Sequence, residues 1–598
     1  MKLKTTMQSL KEHLTQIVAA AFAAAGFDPA YGEVILSNRP ELSQFQCNGA
    51  LAAAKRYGIA PRQIAQHVVD RLLAKAEDSP LESVTIADPG FINLRVSDQT
   101  LVATLQAMAL DSRLGCNVVE QPQMVIVDYG GANIAKPLHV GHLRAAIIGE
   151  SLKRIARFLG HRVIGDVHLG DWGLQMGMVI SEIARRQPQL PYFDAAYHGP
   201  YPAEPPVTIA DLEEIYPQVS ARAKAEPQIM EAARQATAEL QMGRTGYRAL
   251  WQQIFDISVA DLKTDYGNLN IEFDLWLGES HTQERIPALV ETLRNEGWAQ
   301  ESEGALVIDV RQENDNREIP PLILVKSDGA VLYGTTDLAT IAQRVEEYQP
   351  DLILYVVDGR QHDHFVQVFR AAWKSGIAPA TLQLEHIGFG TMNDKDGKPF
   401  KTRAGGVMKL KDLLQMITDK ANERMLEMDI AKGYDETERN QIAKQVGIAT
   451  LKYADLMNHP SKNYVFDLDR FTAFDGRTGP YLLYTAVRIK SILRKAEELG
   501  LRAGQLLPPS SEIERTLFLK LTELPEAIQQ AFEKRAPNGI SEYAYGVAAA
   551  FNTFYHEHHI LNEPDGARRA SWLQSSKLAL DVLVLLLDLL GIEVPERM

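Results

Sequence analysis

The spacing of apolar residues changes twice along the chain and divides it into three parts. Residues 1–112 predict helices and then a strand, "FINLRVS", directly after the turn "DPG". From Gln123 onward, short β-branched runs alternate with helical patterns: "MVIVDY", residues 143–158, "HRVIGDVHL" and later "DLILYVV". After about residue 406 almost every segment has the helical period. We therefore expect an N-terminal α+β module, an α/β domain with a parallel, helix-covered sheet, and an all-helical C-terminal module.

These patterns place the domains at residues 1–112, 113–405 and 406–598. Two segments interrupt the alternation of strands and helices in the middle domain. One, around residues 184–245, contains the proline- and aromatic-rich "QPQLPYFDAAYHGPYPAEPP" and continues into helices. The other, around residues 280–325, alternates apolar and polar positions as antiparallel strands do. Both segments are predicted to be insertions.

Composition narrows the class of protein. Apolar residues make up 45% of the 598 positions and charged residues 23%, which is typical of a soluble globular protein. Two cysteines cannot build a disulfide framework, so we expect a reducing compartment, the cytoplasm. Polar residues interrupt the apolar pattern of the first helix, which argues against a signal peptide. The most apolar run, "LALDVLVLLLDLLGIEV", carries Asp581 and Asp588 and predicts a packed helix, not a membrane span.

The net charge of −15 bears on possible partners. An acidic balance argues against nucleic acid, because phosphate contacts need lysine and arginine. A large acidic protein can still present one basic face. "VRIKSILRKAEE", which includes Arg488, is a candidate for that face, and a solvated helix surface explains the same pattern equally well.

The turn between "MVIVDY" and the next helix carries the most specific chemistry. In "KPLHVGHLR", His139 and His142 are three residues apart, so they project from one face of the first helical turn. Gly141 between them leaves room for a flat ligand. A helix start that follows a buried strand favours phosphate, and neutral imidazoles can donate to it. Zinc would need more ligands than this turn offers, and two unrelated surface histidines are the simpler alternative.

Other segments of the sequence bear on whether the turn binds phosphate, binds zinc or carries two unrelated histidines. "NIAKPLHVGHLR" resembles the HIGH signature of class I aminoacyl-tRNA synthetases, in the form found in arginyl-tRNA synthetases. Matches to that family continue in order along nearly the whole chain: "FQCNGA", "DPGFINLRV", "DVHLGDWGLQMG", "SDGAVLYGTTDLA", "VVDGRQHDHF", "DGKPFKTRAGG", "FDGRTGPYLLYTAVR" and "LGIEVPERM". The resemblance implies a Rossmann-like catalytic domain with insertions and a helical anticodon-binding domain. It implies that arginine and ATP, accompanied by Mg²⁺, form arginyl-adenylate, and that the arginyl group passes to tRNA(Arg). A cytoplasmic monomer without a protein metal site or membrane contact is the family expectation.

The resemblance also assigns the nucleotide site. His139, Gly141 and His142 would hold ATP, with Lys136 as the nearest fixed positive charge. The second class signature, K-M-S-K-S, is not intact, because "KPFKTRAGG" has Thr402 where the family often has its second lysine. We expect Lys136, helped by Lys401 or Arg403, to supply the missing charge on the pyrophosphate.

A planar guanidinium calls for carboxylates that match its forked donors. The resemblance places Asp337 and Tyr333, four residues apart in "LYGTTD", on that group, with Asp128 at the strand end as a second acid. Asn133 and Gln361 would bind the α-amino and carboxylate ends, with His168 nearby. Asp337 could instead be the N-cap of the helix that follows.

RNA contacts are expected at both ends of the chain. "FNTFYHEHHIL" offers aromatic side chains that can stack on anticodon bases, and we expect Phe551 to be core and Tyr555, with Arg488, to contact RNA. Phe91 and Asn93 are the candidates for contact with the tRNA elbow.

Four alternatives to an arginyl-tRNA synthetase use a similar turn or a similar fold. A cysteinyl-type synthetase needs a zinc-ligand cluster, which the sequence lacks. A leucyl- or valyl-type enzyme needs a large editing domain, for which the chain has little room. A nucleotidyltransferase shares the HxGH turn but needs no "FDGRTGPY" element and no helical C-terminal module. A silent RNA-binding relative would be expected to lose His139, His142 or Asp337, and all are present.

Overall fold

The computed structural model describes residues 8–37, 39, 43–74, 79–327, 329–398, 400, 408–430 and 433–598. The N-terminal module is an antiparallel sheet of strand order β1-β2-β4-β3 packed against helices. The strand predicted after "DPG" is β4. The elements are α1 Leu10–Ala24, β1 Val34–Leu36, β2 Phe45–Cys47, α2 Gly49–Tyr57, α3 Pro61–Leu73, β3 Leu81–Ala87, β4 Phe91–Val96 and α4 Asp98–Leu110.

The middle domain is built on a five-stranded, fully parallel sheet of order β12-β11-β5-β6-β7. "MVIVDY" supplies the central strand, and the chain crosses from it to β6 on one side and later to β11 on the other. Ligands bind at such a reversal of strand order, outside the carboxyl ends of the strands. The elements up to the last strand of this sheet are β5 Met124–Asp128, α5 Val140–Phe158, β6 Arg162–Leu169, α6 Leu174–Arg186, α7 Ile209–Ala225, α8 Pro227–Gln241, α9 Thr245–Asn268, β7 Leu275–Gly278, α10 Ile286–Asn295, β8 Gln300–Ser302, β9 Ala305–Ile308, β10 Leu322–Val325, α11 Tyr333–Tyr348, β11 Leu352–Tyr355, α12 His362–Lys374 and β12 Gln383–His386.

Both interrupting segments have structure of their own. Within residues 184–245 the chain forms α7 and α8, which pack on α6. Within residues 280–325 the strands β8, β9 and β10 form a separate antiparallel sheet. Its last strand, β10, is followed along the chain by α11, the helix that carries Tyr333 and Asp337.

The C-terminal module is helical apart from β14, Tyr464–Val465, which pairs with β13, Met392–Asn393, of the middle domain. The predicted fold class is therefore confirmed: α+β, then parallel α/β, then all-helical. The remaining elements are β13 Met392–Asn393, α13 Leu410–Glu427, α14 Glu436–Leu456, β14 Tyr464–Val465, α15 Leu468–Phe471, α16 Gly479–Glu498, α17 Glu512–Thr522, α18 Leu524–Glu533, α19 Asn538–Glu557 and α20 Gly566–Leu589.

Helix α20 is, within the described ranges, the one helix long and apolar enough to cross a membrane by length and composition. In the structure 61% of its most apolar window is buried inside the protein. It packs against α16, α19 and α5. This burial agrees with the prediction that the segment is a packed helix.

The C-terminal end of α20 is capped by side chains of the middle domain and of α14. Ser151 Oγ on α5 donates to the Leu589 carbonyl at 2.9 Å, and Arg154 Nη1 donates to the Asp588 carbonyl at 3.2 Å. Lys452 Nζ on α14 donates to the Gly591 carbonyl at 2.8 Å. The last carbonyls of a helix have no partner within the helix, so these donors join α20 to α5.

The buried Lys452 gives the fold a testable pH dependence. Burial lowers the pKa of its ammonium to about 7, whereas in the unfolded chain a lysine titrates near ~10.4. Between these values the unfolded state binds one proton more, so the stability of the folded state rises with pH. We expect the Tm of the protein, measured against that of Lys452→Met, to rise by about 1–3 °C per unit between pH 7 and 10.

Thermal unfolding of both proteins at matched pH values checks this prediction. Lys444→Met, at an exposed position of α14, controls for the loss of a lysine on that helix. A Tm difference that stays constant across the pH range would contradict the prediction.

Candidate active site

The histidine turn lies at the carboxyl end of β5, where the chain enters α5. His139 is the N-cap of α5, and its Nδ1 accepts the Gly141 N–H at 3.1 Å. His142 Nδ1 accepts the His139 N–H at 3.2 Å, and the two rings stack with centroids 3.8 Å apart. Because both Nδ1 atoms accept hydrogen bonds, the proton of each neutral ring is on Nε2. The turn therefore holds two parallel imidazoles whose Nε2–H groups are available as donors.

Both imidazoles are held neutral. Burial, and then the charge of Lys136, lower the pKa of His139. Burial lowers the pKa of His142 to about 3, with smaller contributions from His139 and Lys136. The Lys136 ammonium lies 4.1 Å from the centroid of the Tyr216 ring on α7, which fixes it close to the turn. One fixed cation and two neutral donors suit an anionic ligand.

A cavity of about 340 Å³ opens beside the turn. Its lining includes His139, Gly141, Arg144, Asp358 and Arg360. A side chain at Gly141 would bring its Cβ within 2.8 Å of the His139 ring, so the glycine is required by the neighbouring imidazole itself. The lining also includes the apolar side chains of Phe389, Met392 and Phe400, so cationic and apolar groups face the same cavity.

Carboxylates gather at the same edge of the sheet. Asp128 ends β5, and its pairing partners in register are Asp166 on β6 and Tyr355 on β11. Burial raises the pKa of Asp128, and the charges of Arg344 and His168 oppose that rise. Arg344 Nη2 donates to one oxygen of Asp128 and one of Asp166, each at 2.6 Å. The structure thus gives Asp128 a partner within the chain, which the sequence did not indicate.

Helix α11 presents the other predicted pair. It begins at Tyr333 with Leu332 as N-cap, so Asp337 lies in the second turn and the N-cap alternative is wrong. Asp337 Oδ2 is 2.6 Å from His364 Nε2, and the Tyr333 ring lies 4.7 Å from the His364 ring. His364 therefore holds both residues on one face of the helix.

The chain matches three family descriptions in order along its length. Residues 8–96 match "Arginyl tRNA synthetase N terminal domain", residues 104–468 match "tRNA synthetases class I (R), catalytic domain", and residues 482–598 match "DALR anticodon binding domain". The chain belongs to the class I arginyl-tRNA synthetase family. The resemblance seen in the sequence is confirmed.

Individual relatives agree with this family. A protein of Alkaliphilus oremlandii named arginine–tRNA ligase is 54% identical over 593 residues, which cover 99% of this chain and 100% of the relative. One of Hyphomonas neptunium with the same name is 50% identical over 594 residues, with the same coverage. The arginyl-tRNA synthetase structures of Plasmodium falciparum and Thermus thermophilus superpose with TM-scores of 0.80 and 0.77 at 23% identity. They cover 99% and 98% of this chain and 100% of their own, and this likeness shows the fold alone.

Two further acidic residues, which the sequence patterns did not indicate, lie at the carboxyl ends of the neighbouring strands. Glu279 follows β7 and Asp171 follows β6, beside His168. Burial raises the pKa of Glu279, His168 opposes the rise, and the charges of Asp171 and Asp337 add to it. Asp171 accepts the Ser280 backbone N–H and hydroxyl at 3.0 and 2.6 Å. The sequence signal for Glu279 is weak: it follows the four-residue strand "LWLG", which has no alternation of apolar and polar residues.

The remaining predicted ligands of the amino acid lie around this edge. Asn133 forms a bridge to Gly170 in the loop after β5, and both ring nitrogens of His168 are buried without a partner among the described residues. Gln361 is exposed at the end of the short helix Gly359–Gln361. Their assignment stays a prediction, as does that of Lys401, Thr402 and Arg403, which lie outside the described residues. In the described part of the chain, no group of three or more His, Cys, Asp and Glu side chains could hold a metal ion.

The predicted RNA contacts differ in their surroundings. Tyr555 is 38% exposed, and Phe551 is buried as expected. Arg488 donates to Asn552 at 2.6 Å and lies 5.5 Å from the Tyr555 ring, in a cavity of about 820 Å³. In the N-terminal module Phe91 is half-buried, whereas Asn93 is 7% exposed and accepts a hydrogen bond from Gln46 at 3.1 Å. The burial of Asn93 weighs against direct contact with RNA.

The low pKa of His142 can be measured directly. Because burial lowers this pKa to about 3, the imidazole signals of His142 are expected to keep one chemical shift between pH 5 and 8. Histidine-selective isotope labelling and NMR provide the titration, and His142→Gln assigns the signals by their disappearance. A midpoint between pH 5.5 and 7 would show that the ring is more hydrated than its burial implies.

Proposed function

We propose that this chain is an arginine–tRNA ligase that uses the residues of the sheet edge in named roles. It activates arginine with ATP to arginyl-adenylate and transfers the arginyl group to tRNA(Arg). The observation that carries the proposal is the position of the histidine turn and the carboxylates at the carboxyl edge of one parallel sheet. The turn suits a triphosphate, and the carboxylates suit a guanidinium.

In the first step an arginine carboxylate oxygen attacks the α-phosphorus of ATP. A bond forms between that oxygen and the phosphorus, the bond to the bridging oxygen breaks, and pyrophosphate leaves with the electron pair. His139 and His142 donate their Nε2–H groups to phosphate oxygens whose charge grows during this step. Lys136 supplies the fixed positive charge near them. Little proton transfer is required, so positioning accounts for most of the rate.

Arginine would be held on the opposite side of the edge. Asp337, fixed by His364, and Asp128, fixed by Arg344, accept the guanidinium hydrogen bonds, and Tyr333 covers the group. Asn133 and Gln361 bind the α-amino and carboxylate ends. A lysine ammonium cannot make the two-pronged contact, so selectivity follows from geometry as well as charge.

In the second step the 2′-hydroxyl of the terminal tRNA adenosine attacks the arginyl carbonyl. The ester bond forms and the mixed anhydride bond breaks. AMP leaves with the electron pair of that bond, and its phosphate takes up the hydroxyl proton. The cavity at Arg488 and Tyr555 would bind anticodon bases, since it combines a guanidinium with an exposed ring. Mg²⁺ would arrive on the phosphates of ATP as part of the substrate. A cytoplasmic monomer fits the two free cysteines and the family expectation.

Pyrophosphate exchange tests the proposed activity. We expect exchange that depends on arginine, and arginylation of tRNA(Arg) that depends on ATP, when the purified chain is assayed with and without tRNA. Failure of both reactions with active tRNA transcript would exclude the proposal.

Lys136→Ala is expected to slow arginine-dependent exchange by roughly 10²–10³-fold, because a fixed charge near the reacting phosphates is removed. Lys263→Ala is the matched control, since Lys263, at an exposed position of α9, also lies over an aromatic ring, 5.3 Å from the centroid of the Trp276 ring. An exchange rate of Lys136→Ala close to that of the unchanged protein would assign the charge to another residue.

Tyr555→Ala is expected to raise the KM for tRNA about tenfold and leave the KM for arginine unchanged, since one base loses its stacking partner. Tyr555→Phe keeps the ring and should retain the original KM for tRNA. Steady-state aminoacylation separates the two constants. Equal KM values for tRNA in all three proteins would exclude stacking on Tyr555.

A further inference from the structure

A guanidinium of the chain itself occupies the acid pair beneath the candidate arginine site. Arg344 is 3% exposed, and its Nη2 bridges Asp128 Oδ2 and Asp166 Oδ2 at 2.6 Å each. Its Cζ lies 5.5 Å from the centroid of the Tyr355 ring. Since Asp166, Asp128 and Tyr355 are neighbours in register on adjacent strands, Arg344 is held by three strands at once.

The two acids of this pair differ in access. The Asp128 side chain is 12% exposed and that of Asp166 only 2%, so Asp128 alone can reach a ligand in the site. One oxygen of Asp128 is occupied by Arg344, and the described hydrogen bonds leave its other oxygen to a ligand. Two carboxylates and one guanidinium leave a net charge of −1, which one further cation neutralises.

Arg344 also shares a helix face with the other proposed arginine ligands. Tyr333, Asp337 and Arg344 lie at positions i, i+4 and i+11 of α11, which fall along one stripe of a helix. Several buried polar atoms of the ion pair and of the neighbouring His168 have no hydrogen-bond partner in the described part of the chain. They are Arg344 Nη1, Asp166 Oδ1 and both ring nitrogens of His168. Buried polar atoms are normally hydrogen-bonded, so these groups are suited to a polar ligand.

We propose that Arg344 is a positioning residue for arginine specificity, which fills the acid pair Asp128–Asp166 and turns the remaining oxygen of Asp128 toward the substrate guanidinium. The inference rests on the proposed function. Without Arg344, two buried carboxylates would face each other, and one would take up a proton. The substrate guanidinium could then enter the deeper acid pair, away from the reacting phosphate. A purely structural ion pair would instead affect stability without a selective effect on arginine.

Steady-state kinetics of full-length variants in the presence of tRNA separates these roles. We expect Arg344→Met to raise the KM for arginine about tenfold or more, with the KM for ATP within about twofold. Arg344→Lys keeps the charge on a side chain one atom shorter, so a smaller rise is expected. Arg515→Met is the matched control: Arg515 is also a buried arginine at 2% exposure, bonded to the Val96 carbonyl at 2.6 Å and to Asp98, far from the sheet edge.

The outcomes are distinct. Arg515→Met should lower Tm and leave both KM values unchanged. Equal changes in the KM for arginine and for ATP in Arg344→Met, or no change in either, would overturn the positioning role. If Arg344→Met does not fold, an unchanged KM for arginine in Arg344→Lys overturns it. Absence of arginine-dependent exchange in the unchanged protein would instead refute the proposed function itself.

Discussion

The architecture depends on one constraint: helix α5 is buried along most of its length, while the turn at its N-terminus lines a cavity. Its residues are buried on nearly every face between the sheet and the C-terminal helices. A helix buried on all sides needs partners for its polar side chains. Arg144 bonds Asp455 at 2.9 Å, and Glu150 pairs with Lys153 at 2.8 Å and accepts from Tyr129 at 2.7 Å. A helix held this firmly keeps the two imidazoles at its N-terminus in one arrangement before any ligand arrives.

The two halves of the site use burial in opposite ways. Desolvation removes the charge of the imidazoles, and Lys136 reinforces that effect. Desolvation also raises the pKa of Asp128, but here the chain supplies an opposing charge in Arg344. The proposed nucleotide half therefore consists of two neutral donors near one cation. The proposed amino-acid half contains more carboxylates than cations. Each half lacks the charge that its proposed substrate carries.

Sequence patterns predicted the parts of this site that depend on local chemistry. β5, the turn and α5 follow from a β-branched run, a polar turn and helical periodicity. Glu279 was missed because β7 has four residues and no alternation. Arg344 was missed because "AQRVEEY" reads as a polar helix face, and only the register of β5 with β6 places two acids beneath it. The roles of Asp337 and Tyr333 came from family resemblance, and periodicity alone left capping open. Contacts between distant strands and helices carry no local signal.

The capping of α20 by α5 has a consequence for biosynthesis. The Ser151 hydroxyl donates to the Leu589 carbonyl, which lies 438 positions later in the chain. Lys452 donates to the Gly591 carbonyl, 139 positions later. During translation at about 5–20 residues per second, the parallel sheet is complete well before its buried helix acquires these neighbours. The part of α5 that packs against α20 thus stays exposed on the ribosome until that helix has emerged. Chaperones that bind exposed apolar surface have that interval in which to act.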